Sequence, residues 1–161
     1  MPDELAAELV EGGKAALSAL ARHTADAELV CCGCRVLGRA GELAGESAGR
    51  LSNVVGWQEA AGALLTAMGS HEGDVLVQRS ALHGLLGCYA AAAATARGAS
   101  SGGRAGGGGR EAAAEAAGGA GLLCTVLERA LASVRAHPAD SELATLVRRC
   151  LCLVCFHCLC G

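Results

Sequence analysis

Residues that could bind a metal are concentrated in segment 150–160 of the 161-residue chain, which has the pattern Cys-x-Cys-x2-Cys-x-His-Cys-x-Cys. Zn²⁺ and iron–sulfur clusters accept thiolate and imidazole ligands. The candidate ligands for such a site are Cys152, Cys155, His157 and Cys158. The segment also continues an apolar run that predicts a helix, on which these cysteines point in different directions. Because no Gly or Pro interrupts the run, we favour thiols that act as small hydrophobic side chains, without a bound metal or cofactor. A metal- or thiol-binding protein is the alternative.

Other cysteines could also be either structural thiols or metal ligands. Cys31-Cys32-x-Cys34 has the same two interpretations, and reversible lipidation beside Arg148-Arg149 is a third for the last cysteines. The chain has ten cysteines, whereas residues 1–8 are acidic and lack the positive and apolar regions of a secretory signal. Thiols without a secretory signal indicate a reducing compartment, so we expect a cytoplasmic protein.

Three His-x2-Asp segments, beginning at His23, His71 and His137, are the second set that could do chemistry. Each has one histidine and one aspartate, and the segments are expected to lie one repeat apart, too far to share an ion whose bonds are about 2 Å long. They also lack the third orienting group that a general acid–base or nucleophilic site needs. We therefore interpret each as a turn between two helices, in which Asp caps the second helix and His lies beside the last carbonyls of the first. No catalytic residue is predicted, and we expect a non-enzymatic protein.

These turns belong to a pattern, Leu-x2-[LMV]-x2-His-x2-Asp-x2-[LV]-x7-Leu, that occurs three times without a gap, beginning at Leu17, Leu65 and Leu131. The copies are 48 and 66 residues apart, and the Gly-rich tract 98–110 supplies most of the 18 extra residues. Repeated helical pairs tolerate such an insertion. The predicted organisation is repeat one at 1–40, a connector with repeat two at 41–97, a flexible loop at 98–110 and repeat three at 111–161.

Composition agrees with an all-α fold. Hydrophobic residues make up 52% of the chain but aromatic residues only 2%, and there are two prolines. Small apolar side chains suit closely stacked helices, whereas strands favour the β-branched and aromatic residues. The net charge of −3 gives no basic field for nucleic acid. The longest apolar run, 150–160, is too short to span a membrane.

The predicted helices run to about Arg22, then from Ala27 to about Arg39, Trp57 to about Ser70, Asp74 to about Ala96, Leu122 to Ala136 and Ser141 to Cys160. Residues 40–53 are expected to connect the first two repeats and to hold at most one short helix. A short helix at 111–117 is expected to be separated from the next helix by a break at Gly119–Gly121.

The segment Asp74-x2-Val77-Gln78-x2-Ala81-Leu82-x2-Leu85 resembles the turn and second helix of the armadillo/HEAT family. The resemblance implies a right-handed α-solenoid of about three helical-hairpin repeats, whose second helices line a concave surface for protein or peptide partners. One feature departs from the family. Peptide-clamping armadillo domains carry an Asn ladder in a column that is Val36, Gly84 and Cys150 here, so we do not expect that mode of backbone clamping.

Helical geometry assigns faces to the second helices. Four columns lie in one narrow arc and should form the core: Leu29/Val77/Leu143, Gly33/Ala81/Val147, Leu37/Leu85/Leu151 and Ala40/Cys88/Val154. Nearly opposite lies the column Arg35/His83/Arg149. With its neighbours it gives the candidate partner-binding residues: Arg35, Arg39, Arg79, His83, Arg148 and Arg149. Basic side chains along a groove indicate an acidic or phosphorylated partner segment, although an ordinary solvated face has the same composition.

The apolar segment 150–160 also predicts association. A terminal solenoid repeat normally presents a polar outer face, and this segment has few polar residues. We therefore expect either that the chain is a fragment of a longer repeat array or that it self-associates through its C-terminal helix.

Overall fold

The computed structural model describes residues 3–46, 56–101 and 109–160, and the side chains of residues 8–44 (except Val10), 56–94 and 121–153. The described residues form helices joined by turns, with no strand among them. The helices are α1 (Asp3–Arg22), α2 (Ala27–Glu46), α3 (Trp57–Ser70), α4 (Val75–Ser101), α5 (Gly109–Ala136) and α6 (Ser141–Cys160). The all-α prediction is confirmed.

The three His-x2-Asp segments are the turns within the helix pairs α1–α2, α3–α4 and α5–α6. Asp26 Oδ1 accepts hydrogen bonds from the backbone N–H groups of Glu28 and Leu29, both 3.1 Å. Asp74 and Asp140 accept equivalent bonds of 2.8 to 3.2 Å at the starts of α4 and α6. These bonds satisfy backbone donors that a helix leaves unpaired, so the capping interpretation is confirmed.

The helices extend further than the sequence predicted. Instead of ending near Arg39, α2 continues to Glu46, and α4 continues to Ser101 at the start of the predicted loop. The break expected at Gly119–Gly121 is wrong, because α5 runs through it from Gly109 to Ala136. Glycine keeps its backbone N–H and costs a helix only about 1 kcal/mol, which neighbouring Ala and Leu residues offset. Residues 102–108 lie outside the described residues.

Helices pack in two series. The second helices of the pairs contact one another in the order α2, α4, α6, and the first helices in the order α1, α3, α5. Within each pair the first helix packs against the second. The most extensive contact joins α2 to α4.

Glycines allow α2 and α4 to touch through their backbones. A Cβ added to Gly38 would lie 3.0 Å from the Cα of Gly84. A Cβ on Gly41 would overlap the backbone of Gly87, and one on Gly87 would overlap the carbonyl of Gly38. Helices that carry larger side chains normally lie 8–10 Å apart. These four glycines therefore let α2 and α4 approach more closely than other residue types would.

The core is aliphatic and lies between the two series of helices. Its fully buried large side chains include Val30, Leu37, Leu64, Leu82 and Leu143. The predicted core columns are mostly confirmed: every member with a described side chain is buried except half-buried Leu151 and exposed Leu29. The side chain of Val154 lies outside the described residues.

Leu29 was predicted to be buried, and this prediction is wrong: Leu29 is 43% exposed. Its counterparts Val77 and Leu143 are fully buried. Gly84 lies two helical turns beyond Val77 on the same side of α4, and it contacts the backbone of α2. This contact shows that α2 covers this side of α4. Among the described helices, none covers the corresponding side of α2.

Candidate functional site

A groove of about 640 Å³ lies between α2 and α4 and extends to the first turns of α6. Four of the candidate partner-binding residues line it: Arg35, Arg39, Arg79 and His83. The structure therefore brings together side chains that the sequence places up to 48 residues apart. The remaining two, Arg148 and Arg149, are exposed on α6 and are not among the groove-lining residues.

Arg79 joins the second helix pair to the third. Its Nε donates to both carboxylate oxygens of Asp140 at 3.1 Å, and its Nη atoms contact Asp140 and Glu142. The Arg79 guanidinium, together with the N–H of Leu143, lowers the pKa of Asp140. Since Asp140 also caps α6, one carboxylate both starts a helix and holds it against α4. Arg79 is thus largely occupied within the fold.

Glu42, on α2, pairs with two basic side chains of the groove, Arg39 on α2 and His83 on α4. Its Oε2 accepts from Arg39 Nη1 at 3.0 Å, and its Oε1 lies 3.7 Å from His83 Nδ1. Both pairs are substantially exposed to solvent. Exposed pairs of this kind contribute little to stability, so they can exchange their partner at small cost.

Arg35 differs from the other arginines of the groove because it makes no ion pair with any described residue. Val36 and Leu76, which line the same groove, are 44% and 60% exposed. An unpaired cation beside exposed aliphatic side chains can bind a segment that carries a carboxylate or phosphate next to an apolar side chain.

Ser80, His83 and Glu42 share the groove and are the residue types of a hydrolytic triad. Their arrangement differs from a triad, however. The Ser80 hydroxyl lies near the thiol of Cys31, where it partly offsets the rise in the Cys31 pKa caused by burial, and in the described structure no hydrogen bond joins it to His83. A nucleophile needs a base within hydrogen-bonding reach.

The histidine column has a role that the sequence analysis missed. His71 Nε2 lies 2.7 Å from the carbonyl oxygen of Thr24, in the preceding turn. His137 Nε2 lies 3.0 Å from the carbonyl oxygen of Glu72, again in the preceding turn. A ring N–H therefore joins each turn to the one before it. The signal was visible as a histidine repeated in one column, although its partner could not be identified without the stacking.

Gln78 was noted only as part of the family signature, yet it is the centre of a buried network. Its Nε2 donates to the carbonyls of Met68 and His71, both at 2.8 Å, at the end of α3. Its Oε1 accepts from the hydroxyl of Ser133 on α5. Both side chains are buried, so this network joins α3, α4 and α5.

The cysteines divide into buried and exposed groups. Burial raises the pKa of Cys34 and of Cys88 to about 12 and that of Cys150 to about 11. Cys32, Cys124 and Cys152 are exposed. Within the described part of the chain, no group of three or more His, Cys, Asp or Glu side chains could hold a metal ion.

Of the alternative metal ligands, Cys152 is exposed on α6. The side chains of Cys155, His157 and Cys158 lie outside the described residues.

We predict that thiol alkylation follows this division. At pH 8 Cys32, Cys124 and Cys152 should react readily with iodoacetamide, whereas Cys34, Cys88 and Cys150 should react at least about a hundredfold more slowly, because a raised pKa and burial both suppress the reactive thiolate. Peptide mass spectrometry measures each rate. In guanidinium the two groups should react alike. Native-state labelling of Cys34 as fast as Cys32 would contradict the packing of α2.

Comparisons of the chain with protein-family models, curated proteins and solved structures gave no match. Among the described residues, none of the helices is both long and apolar enough to cross a membrane.

Proposed function

We propose that this chain is a non-enzymatic, cytoplasmic α-solenoid that binds a protein or peptide partner in the groove between α2 and α4. Three features support the solenoid: three turns of one pattern, second helices that contact each other in chain order, and a histidine bond between successive turns. Stacked helical pairs of this kind present extended surfaces on which partners lie.

The observation that carries the function is the composition of the groove. Four basic side chains line it: Arg35, Arg39, Arg79 and His83. Arg35 makes no ion pair with a described residue, and Leu76 is exposed in the same groove. We propose that Arg35 binds an acidic group of the partner and that Val36 and Leu76 contact an apolar one.

Site-specific photocrosslinking tests this function. A benzophenone amino acid at Leu76 should capture a discrete partner in cells, whereas the same group at Thr66, exposed on α3, should not. The captured protein is then purified and titrated. Arg35→Glu should weaken its binding at least about tenfold, because an attractive charge pair becomes repulsive.

Arg22→Glu supplies the matched charge control, since Arg22 is exposed on α1 outside the groove. Affinity should be unchanged in this variant. If Arg35→Glu and Arg22→Glu bind the captured partner equally well, or if both crosslinking positions capture the same proteins, the groove is not the binding site.

A further inference from the structure

The contact between successive helix pairs follows one plan at both junctions. Each histidine bonds to the carbonyl of the residue that follows the preceding histidine: His71 to Thr24, and His137 to Glu72. At both junctions, the later second helix also packs against the preceding second helix: α4 against α2, and α6 against α4. On α4, Gly84 and Gly87 lie in this contact and face the backbone of α2. At each junction, we call the side of the later pair that carries the histidine and receives the preceding second helix the accepting face, and the side of the earlier pair that packs onto it the donating face. These names describe the packing only, since the histidine N–H donates the hydrogen bond and the carbonyl of the earlier pair accepts it.

The first pair has the accepting face without a described helix on it. On α2, Leu29 and Val36 are 43% and 44% exposed, whereas their counterparts on α4, Val77 and Gly84, are buried. A second groove, of about 250 Å³, is lined by α1 and α2 residues that include Val36 and Ala40. The corresponding positions of the second pair are the ones that receive α2. His23 is exposed at the position of His71.

The third pair has the donating face. Leu131 on α5 is 41% exposed, whereas its counterpart Leu65 on α3 is buried. One turn beyond Leu65, Gly69 approaches Arg129 of α5, so this side of a first helix faces the next pair. Pro138 follows His137 as Thr24 follows His23, and its carbonyl has the position that the next histidine would contact.

We propose that a second copy of this chain stacks head to tail on the first, with the donating face of one copy against the accepting face of the other. Charge complementarity supports a copy as the occupant. Glu8 is an exposed lining residue of the accepting groove, and Arg39, which also lines it, is paired with Glu42. Arg148 is exposed on α6 without an ion pair to a described residue. Arg148 also replaces the buried residues Cys34 and Leu82 of the internal junctions. The contact between copies is therefore weaker than the contacts between pairs.

Sedimentation velocity over a concentration series tests this stacking. Because a head-to-tail contact does not close on itself, the unmodified protein should grow beyond the dimer as concentration rises. Leu29→Asp blocks the accepting face, and Leu131→Asp blocks the donating face. Each variant alone should be monomeric, but an equimolar mixture retains one intact pair of faces and should form a one-to-one dimer. Leu76→Asp, in the large groove, should associate like the unmodified protein.

The mixing experiment separates this arrangement from other modes of association. A two-fold dimer through α2 would be abolished by Leu29→Asp, unaffected by Leu131→Asp and not restored by mixing, and it would overturn the proposal. An unmodified protein that stays monomeric throughout would also overturn it. Circular dichroism confirms that each variant is folded. The two grooves share Val36 and Arg39, whereas Leu76 lines only the large groove and Leu29 lines neither. A loss of association in Leu29→Asp without a loss in Leu76→Asp therefore separates stacking from partner binding in the large groove.

Discussion

We expect Gly87→Ala to lower the free energy of unfolding by about 3 kcal/mol, the upper part of the range for overpacked sites. The added methyl would overlap the carbonyl of Gly38, which is backbone of a neighbouring helix and cannot rotate away. Relief would require α2 and α4 to separate along their whole contact. Gly41→Ala should behave similarly, because its methyl would overlap the backbone of Gly87. Urea denaturation followed by circular dichroism measures both effects.

Two other glycines serve as controls. Added methyl groups at Gly12 on α1 and Gly62 on α3 would have no neighbour within 4 Å. Alanine there should stabilise the protein by about 0.5–1 kcal/mol, since it is the better helix former and restricts the unfolded chain. If all four variants gained stability, helix propensity alone would determine the outcome and the close contact of α2 with α4 would be wrong.

We expect Gln78→Met to cost about 2–4 kcal/mol, because three buried or partly buried hydrogen bonds are lost while side-chain size is conserved. The carbonyls of Met68 and His71 both lose their side-chain donor, and the Ser133 hydroxyl loses its side-chain acceptor. Thermal and urea unfolding should both detect the loss.

A double-mutant cycle with Ser133→Ala separates the two halves of this network. Ser133 also bonds to the carbonyl of Arg129 at 3.0 Å, so its own loss should be smaller, about 1 kcal/mol. In the Gln78→Met background, Ser133→Ala should cost less than it does alone, because the shared bond is already absent. Additive losses would show that α4 and α5 are not joined through these side chains.

The sequence predicted the ends of helices best where the responsible chemistry is local. Asp26, Asp74 and Asp140 act within three residues of themselves, so their caps could be identified from spacing alone. The same is true of the buried columns, which require only helical periodicity. The continuation of α2 past Arg39 was not predicted, because residues 40–46 contain both helix-forming and helix-weakening types and their packing decides the outcome.

Contacts between helix pairs could not be predicted from the sequence. The partners Arg79 and Asp140 lie 61 residues apart, and the identification of Arg79 as a groove residue gave no sign that a capping aspartate would bind it. The exposure of Leu29 could not be predicted for the same reason. Its column is apolar in all three copies of the sequence pattern, but burial requires a neighbouring helix on that side. Periodicity defines which face a residue occupies, whereas the arrangement of helices decides what covers it.

The proposed binding groove depends on the backbone contact between α2 and α4, because it exists only if these helices pack in this way. We would measure NOEs between glycine Hα protons in the isotopically labelled protein. We expect cross-peaks linking Gly38 with Gly84 and Gly41 with Gly87, and no inter-helix cross-peak from Gly62. An ordered, assigned spectrum in which α2 and α4 glycines show no mutual NOE would contradict both the packing and the groove.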